Sequence, residues 1–209
     1  MTDAIGIMEV IGLGPSMVTL DTMAKTADVQ ILQIELNDYY GTVMKIGGAT
    51  AAVQIAIDTG RQLIEHMGGQ CVTTVLTGPA DAGLPAVLAP REYQPLIQQD
   101  VVFFPHESQD KEPNVAAEPY AIGLIETQGF TAVIEGVDTA VKAANVEVIA
   151  KEKLGGGYVT VVLKGDVAAV TAAVEAGRDA AERLGTIISA HVIARPSPAI
   201  LTLLTPVDP

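Results

Sequence analysis

Apolar residues run almost without interruption over 4–11 and again over 121–127, which predicts two strands. Each run is followed by a helical period, over 15–26 and over 132–143. In the second, Val133, Val137, Ala140, Val141 and Ala144 fall at i, i+4, i+7, i+8 and i+11. Two further strands are predicted at 28–36 and 41–47, matched by 145–153 and 158–164. A second helix carries Val53, Ala56, Ile57, Gly60, Leu63, Ile64 and Met67 on one face. Its counterpart carries Val170, Ala173, Val174, Gly177, Ala180, Ala181 and Leu184. Strands at 71–76 and 187–194 close the two patterns. The order β-α-β-β-α-β, met twice, predicts an α+β chain of two tandem ferredoxin-like domains.

The two patterns are copies of one another at an offset of 117 residues. Ala4-Ile5-Gly6-Ile7-Met8-Glu9 returns as Ala121-Ile122-Gly123-Leu124-Ile125-Glu126, and Asp21, Lys25, Gly48, Gly60 and Arg61 return as Asp138, Lys142, Gly165, Gly177 and Arg178. Between 4–68 and 121–185, 20 of 65 positions are identical without a gap, where this composition would give about five by chance. The first domain is expected over 1–84, a connector over 85–119 and the second domain over 120–209. The connector holds Pro85, Pro90, Pro95, Pro105, Pro113 and Pro119. It suggests a short helix around Pro90–Gln99, since proline suits a first helical turn. The polar stretch His106–Pro113 reads as turn.

Composition narrows the function. Of 209 residues, 49% are hydrophobic but only 4% aromatic, with no Trp, so the core must be aliphatic. A net charge of −13 argues against nucleic acid and against an anionic membrane surface, both of which select basic patches. The start MTDAIGIMEV lacks the basic stretch of a signal peptide, and no apolar run reaches the roughly 18 residues of a membrane span. A mean hydropathy of +0.36 suits a chain that buries further surface between subunits, and a cytoplasmic oligomer is expected. The single Cys71 excludes an intrachain disulfide and any Cys-only metal site built by one chain.

Candidate chemistry is sparse. His66, His106 and His191 have no ligand spacing, Cys71 reads as an inert buried thiol, and no nucleophile–base set or phosphate loop is present. No enzyme, cofactor or metal is therefore expected. One loop is unusual: Gly155-Gly156-Gly157 joins two strands of the second copy, where the first copy has Asn37-Asp38-Tyr39-Tyr40. The glycines suit a plain hairpin, because glycine takes positive φ freely. They also suit a backbone-lined turn facing a symmetry axis or a ligand. The residues alone leave both readings open.

Several segments together resemble the bacterial microcompartment shell proteins. They are Ala121–Thr127, Asp138-x-x-x-Lys142-Ala143-Ala144-Asn145-Val146, Glu152–Val161, Lys164-Gly165-Asp166-Val167-x-x-Val170 and His191-Val192-Ile193-Ala194-Arg195-Pro196. The likeness covers nearly all of the second copy and is weaker in the first. Two such domains in unpermuted order are similar to the tandem-domain class. That resemblance implies a homotrimeric, pseudohexagonal tile with a central pore, joined edge to edge with other shell proteins around enclosed enzymes. It implies that Gly155, Gly156 and Gly157 line the pore through which small metabolites pass. Asn37, Asp38, Tyr39 and Tyr40 would take the same place in the first copy, departing from the family's glycine-rich loop. Lys25, Lys142 and Arg195 would be tile-edge contacts, and Gly78 stands where the first copy would carry the matching arginine. One tandem branch holds an iron–sulfur cluster on a cysteine of the first-copy loop. Asp38 stands there in this chain, so no cluster is expected. The competing reading is a trimeric ferredoxin-like regulator with a small ligand between subunits, which would stay discrete where shell proteins assemble into sheets.

Overall fold

A computed structural model describes residues 3–37, 41–105 and 120–204. The chain divides into two compact units, residues 1–105 and 106–209.

Unit 1 runs β1 (Ala4–Val10), α1 (Leu13–Thr26), β2 (Val29–Asn37), β3 (Gly41–Gly48), α2 (Thr50–His66) and β4 (Cys71–Thr77). After a 3-10 turn, Asp81–Gly83, come α3 (Leu84–Val87) and the short strands β5 (Tyr93–Gln94), β6 (Gln99–Asp100) and β7 (Val102–Phe103). Unit 2 runs β8 (Ala121–Gln128), α4 (Phe130–Ala143), β9 (Glu147–Gly155), β10 (Tyr158–Gly165), α5 (Val167–Ala181), β11 (Thr186–Ala194) and α6 (Pro198–Leu201). The sheets are ordered β4-β1-β3-β2-β7 and β11-β8-β10-β9. All of these neighbours whose register is set are antiparallel. Each unit is thus the split βαβ arrangement that the repeat predicts. The register also repeats at the offset of 117: Ala4 pairs with Gly48 and Thr77, Ala121 with Gly165 and Ala194.

Both helices of each unit pack on one face of its sheet. In unit 2 the core is small and branched, with Ile125, Val133, Ala140, Val159, Val161, Leu163, Val170, Ala173 and Val174 buried together. Unit 1 fills the same layer with Met8, Met17, Met23 and Met44, all at most 1% exposed, using a flexible side chain where shapes are irregular. Two glycines per unit set the depth of contact. A methyl group built on Gly123 of β8 would lie 2.4 Å from Val174 Cγ2, and one on Gly177 of α5 would lie 2.6 Å from Ile125 Cδ1. In unit 1 the same positions, Gly6 and Gly60, would bring a methyl to 2.8 Å from Ile57 Cγ1 and 2.6 Å from Met23 Sδ. The second helix therefore lies so close to the central strand that no larger residue fits at either position.

The structure departs from the sequence pattern in three places. No helix forms at Pro90–Gln99. There β5 and β6 make a hairpin with Gln98 at φ 58°, and β7 then adds an edge strand to β2. Prolines at 90 and 95 suit a turn, and the open edge of β2 offers backbone partners that a surface helix would leave unused. Val141 and Leu184, expected on apolar faces, are exposed. Helices α1 and α4 begin two residues earlier than the periodicity suggests, directly after Gly12 and Gly129 at positive φ.

Substituting Gly123 or Gly177 by Ala is expected to destabilise unit 2 by about 1–3 kcal/mol, the cost of overpacking a closed core. Gly83→Ala, where nothing lies within 4 Å, should change stability by less than about 0.5 kcal/mol. Urea unfolding followed by circular dichroism measures all three.

Candidate functional site

The topology separates the sequence candidates to opposite ends of each sheet. In unit 2, β9 ends at Gly155 and β10 begins at Tyr158, these two residues pairing across a two-residue turn. Gly156 and Gly157 have φ of 58° and 84°, the left-handed pair that a tight hairpin turn with matching twist requires. The turn is tied to the end of β8: Gln128 Nε2 donates to the Gly156 carbonyl at 3.3 Å, and the Gly129 N–H donates to the Gly157 carbonyl at 2.8 Å. Its outer surface is peptide backbone, with Gly156 and Gly157 exposed. In unit 1 the strands close at Asn37, which pairs with Gly41 at φ 96°. Asp38, Tyr39 and Tyr40 lie outside the described residues. Ile11, exposed, stands where unit 2 has Gln128. The Gln128 contact was not foreseen, because one amide at a strand end has no sequence signature.

The other end of each sheet carries the charged candidates. Lys142 in the last turn of α4 is exposed and donates to Asp138, one turn earlier. That hydrogen bond, followed by the charge of the same carboxylate, raises the lysine's pKa above its ordinary value. Lys25 makes the same pair with Asp21 at 2.5 Å, with the Asp21 side chain only 5% exposed. The repeated Asp-x-x-x-Lys is thus an ion pair one helical turn apart, on which a cation at a helix C-terminus is also favoured by the helix dipole. Arg195 follows β11 and is exposed, with φ of 53°. Its N–H donates to the Tyr120 carbonyl at 3.1 Å. An L-residue in that conformation is strained by about 1 kcal/mol. Lys164 Nζ lies 4.5 Å from the centre of the Tyr120 ring, a cation–π contact that joins β10 to the start of β8.

The remaining candidates are dispersed. Cys71 is half-buried at the start of β4, and burial, then Glu65, push its thiol pKa up. His66 ends α2, and His191 lies in β11 where burial lowers its pKa. His106 lies outside the described residues. Among the described residues, no three His, Cys, Asp or Glu come together as metal ligands. No described helix is long and apolar enough to cross a membrane.

The profile of the BMC domain matches this chain twice, over residues 4–79 and 121–196. The chain belongs to the BMC domain family. Both matches coincide with the β-α-β-β-α-β frames described above. Its relatives include the carboxysome shell protein CcmK2 of Thermosynechococcus vestitus, 52% identical over 80 residues, which are 37% of this chain and 78% of the relative. The carboxysome shell protein CsoS1A of Hydrogenovibrio crunogenus is 49% identical over 86 residues, 41% of this chain and 90% of the relative. Such a match spans about one BMC domain. A solved microcompartment protein from Desulfitobacterium hafniense DCB aligns over 94% of this chain and 97% of its own, at 25% identity and a TM-score of 0.36. The two domain matches and the shell-protein relatives make the chain a tandem-domain BMC shell protein of a bacterial microcompartment.

Arg195→Gly is expected to raise the stability of the isolated chain by about 1 kcal/mol or less, since strain relief outweighs the entropy glycine loses on folding. Thermal unfolding checks this. A large loss of stability would mean that the arginine side chain holds unit 2 together.

Proposed function

We propose that three chains close into a ring of six BMC domains, a pseudohexagonal tile whose central pore passes small metabolites. The observation that carries this reading is the separation of features within each unit. Backbone-lined or differentiated turns stand at one end of the sheet, and the Asp–Lys pair with Arg195 at the other. A ring with all six sheets pointing their turns inward collects six loops on one axis and presents the charged ends on the perimeter. A two-domain chain closes such a ring with threefold symmetry. Exposed apolar side chains support subunit contact: Phe130, Ile134 and Val141 along α4, Leu184 after α5, and Ile11, Ile55 and Val72 in unit 1. Burying them needs a partner surface.

In this arrangement three copies of Gly155-Gly156-Gly157 alternate around the pore with three copies of Asn37-Asp38-Tyr39-Tyr40. The glycine turns offer amides and little bulk. The other loops bring aromatic walls and up to three carboxylates, which disfavour small anions. Lys25, Lys142 and Arg195 act at the perimeter, where charges govern encounter and specificity between tiles. The role is structural and selective rather than enzymatic, with neighbouring shell proteins and enclosed enzymes as partners.

Light scattering of the unassembled particle should give three times the chain mass of 21.7 kDa. The double variant Lys142→Ala, Arg195→Ala should lose sheets in electron micrographs while keeping that mass. A stable monomer would end the reading, and loss of the trimer would place these residues at a different interface. Flux through reconstituted tiles addresses the pore: Asp38→Asn should increase anion passage and Tyr39→Ala with Tyr40→Ala should widen the opening. Unchanged flux in both would remove the first-copy loop from the pore.

A further inference from the structure

Unit 1 holds a cavity of about 430 Å³ at the end of its sheet where β1 begins. Its walls are aliphatic: Ile5 of β1, Leu32 of β2, and Leu84 and Leu88 from the segment after β4. Leu32 is the extra residue of a bulge, since Ile31 pairs with Ile46 and Gln33 with Lys45. Asp3 and Asp81, both exposed, add two carboxylates to the lining, which contains no basic residue. The segment that closes the cavity is fixed. The buried Gln33 amide donates to the Ala89 carbonyl at 3.1 Å and accepts from the Ala89 N–H at 3.0 Å, and its oxygen also accepts from Lys45 Nζ at 3.0 Å. Lys45 in turn pairs with Glu35. The space is therefore preformed, and its size is that of a small-molecule site.

The second copy shows what is special here. The same backbone bond closes this corner in both units, from the Gly78 N–H to the Asp3 carbonyl at 2.8 Å and from the Arg195 N–H to the Tyr120 carbonyl at 3.1 Å. The turn conformations agree too, with φ of 57° at Gly78 and 53° at Arg195. On this shared frame unit 2 carries Tyr120, Lys164 and Arg195, where unit 1 carries Asp3, Gly47 and Gly78. An aromatic ring and two cations are replaced by one carboxylate and two glycines. Unit 2 places its own cation on its own ring; unit 1 has lost the bulk and reversed the charge.

We propose that this cavity binds an organic cation with a short aliphatic body, an alkylammonium or alkylguanidinium group. The alkyl part lies against Ile5, Leu32, Leu84 and Leu88, and the charged head meets Asp3 and Asp81. Carboxylates favour such heads through charge-assisted hydrogen bonds, while a neutral isostere gains only the apolar contact. The cation is either a free amine or a basic side chain of a neighbouring copy. The site stands whether or not tiles form.

Calorimetric titration of the unassembled full-length chain with n-butylamine, butylguanidine, n-butanol and butyrate tests the proposal. The two cations should bind, and n-butanol and butyrate should bind at least about tenfold more weakly, the worth of one charge-assisted bond. Asp3→Asn with Asp81→Asn should weaken the cations by about tenfold or more. Leu84→Phe, which fills the space, should weaken them as well. A second arm separates the sources. Butylguanidine that blocks lateral assembly while the ring persists identifies a neighbour's basic side chain, and assembly that proceeds with the ligand bound identifies a free amine. No binding of either cation up to about 10 mM, equal binding of n-butanol, or unchanged affinity in the double Asp variant would overturn the inference without touching the shell reading.

Discussion

The depth to which the second helix of each unit sinks onto its sheet governs the rest of the structure. Gly123 on the central strand and Gly177 on α5, with Gly6 and Gly60 in unit 1, remove the side chains that would hold helix and strand apart. At that distance Val170, Ala173 and Val174 fill the space against Ile125, Val161 and Leu163, all small or branched, and no aromatic ring is needed. This explains a core with so few aromatic residues. It also explains why these glycines persist through the duplication while most neighbours changed. Because the interior is closed, the two ends of the sheet and its second face remain the places where the copies can differ without losing the fold.

They differ at both ends. At one, unit 2 has a two-residue glycine turn where the unit-1 sequence carries Asp38 and two tyrosines. At the other, unit 2 carries Tyr120, Lys164 and Arg195 at the positions where unit 1 carries Asp3, Gly47 and Gly78. The polypeptide from 84 to 103 adds a further difference, folding back over the unit-1 sheet, clamping onto Gln33 and pairing with β2. In the proposed ring, such a chain would give threefold symmetry with two kinds of loop and two kinds of perimeter. A ring of six identical domains could not combine glycine turns with acidic, aromatic ones on one axis.

The sequence was most legible where local periodicity and the repeat agree. Seven of the residues expected on the inner face of the second-copy helix illustrate the limit: Val170 through Ala181 are buried, but Leu184 lies beyond the helix end and is exposed. The glycine signature of the turn at 155–157 was readable because positive φ is a local demand. The contacts that depend on distant chain closure were not readable. Strand β7 is two residues long and owes its existence to the free edge of β2. The Gln33–Ala89 clamp spans 56 residues of sequence. Lys45 is buried within β3 because Gln33 and Glu35 meet it from β2, which no period announces. The acidic cavity depends on the second and third of these features, which hold the segment carrying Leu84 and Leu88 in place.

The arrangement of six domains around one axis is the claim on which pore, perimeter and shell role together depend. An electron cryomicroscopy map of the assembled particle tests it most directly. The account predicts three chains per ring, with density for residues 155–157 and 37–41 alternating around a central opening and Lys25, Lys142 and Arg195 on the outer perimeter. A ring in which these loops lie at the perimeter, or a particle with no shared axis for the two units, would contradict it.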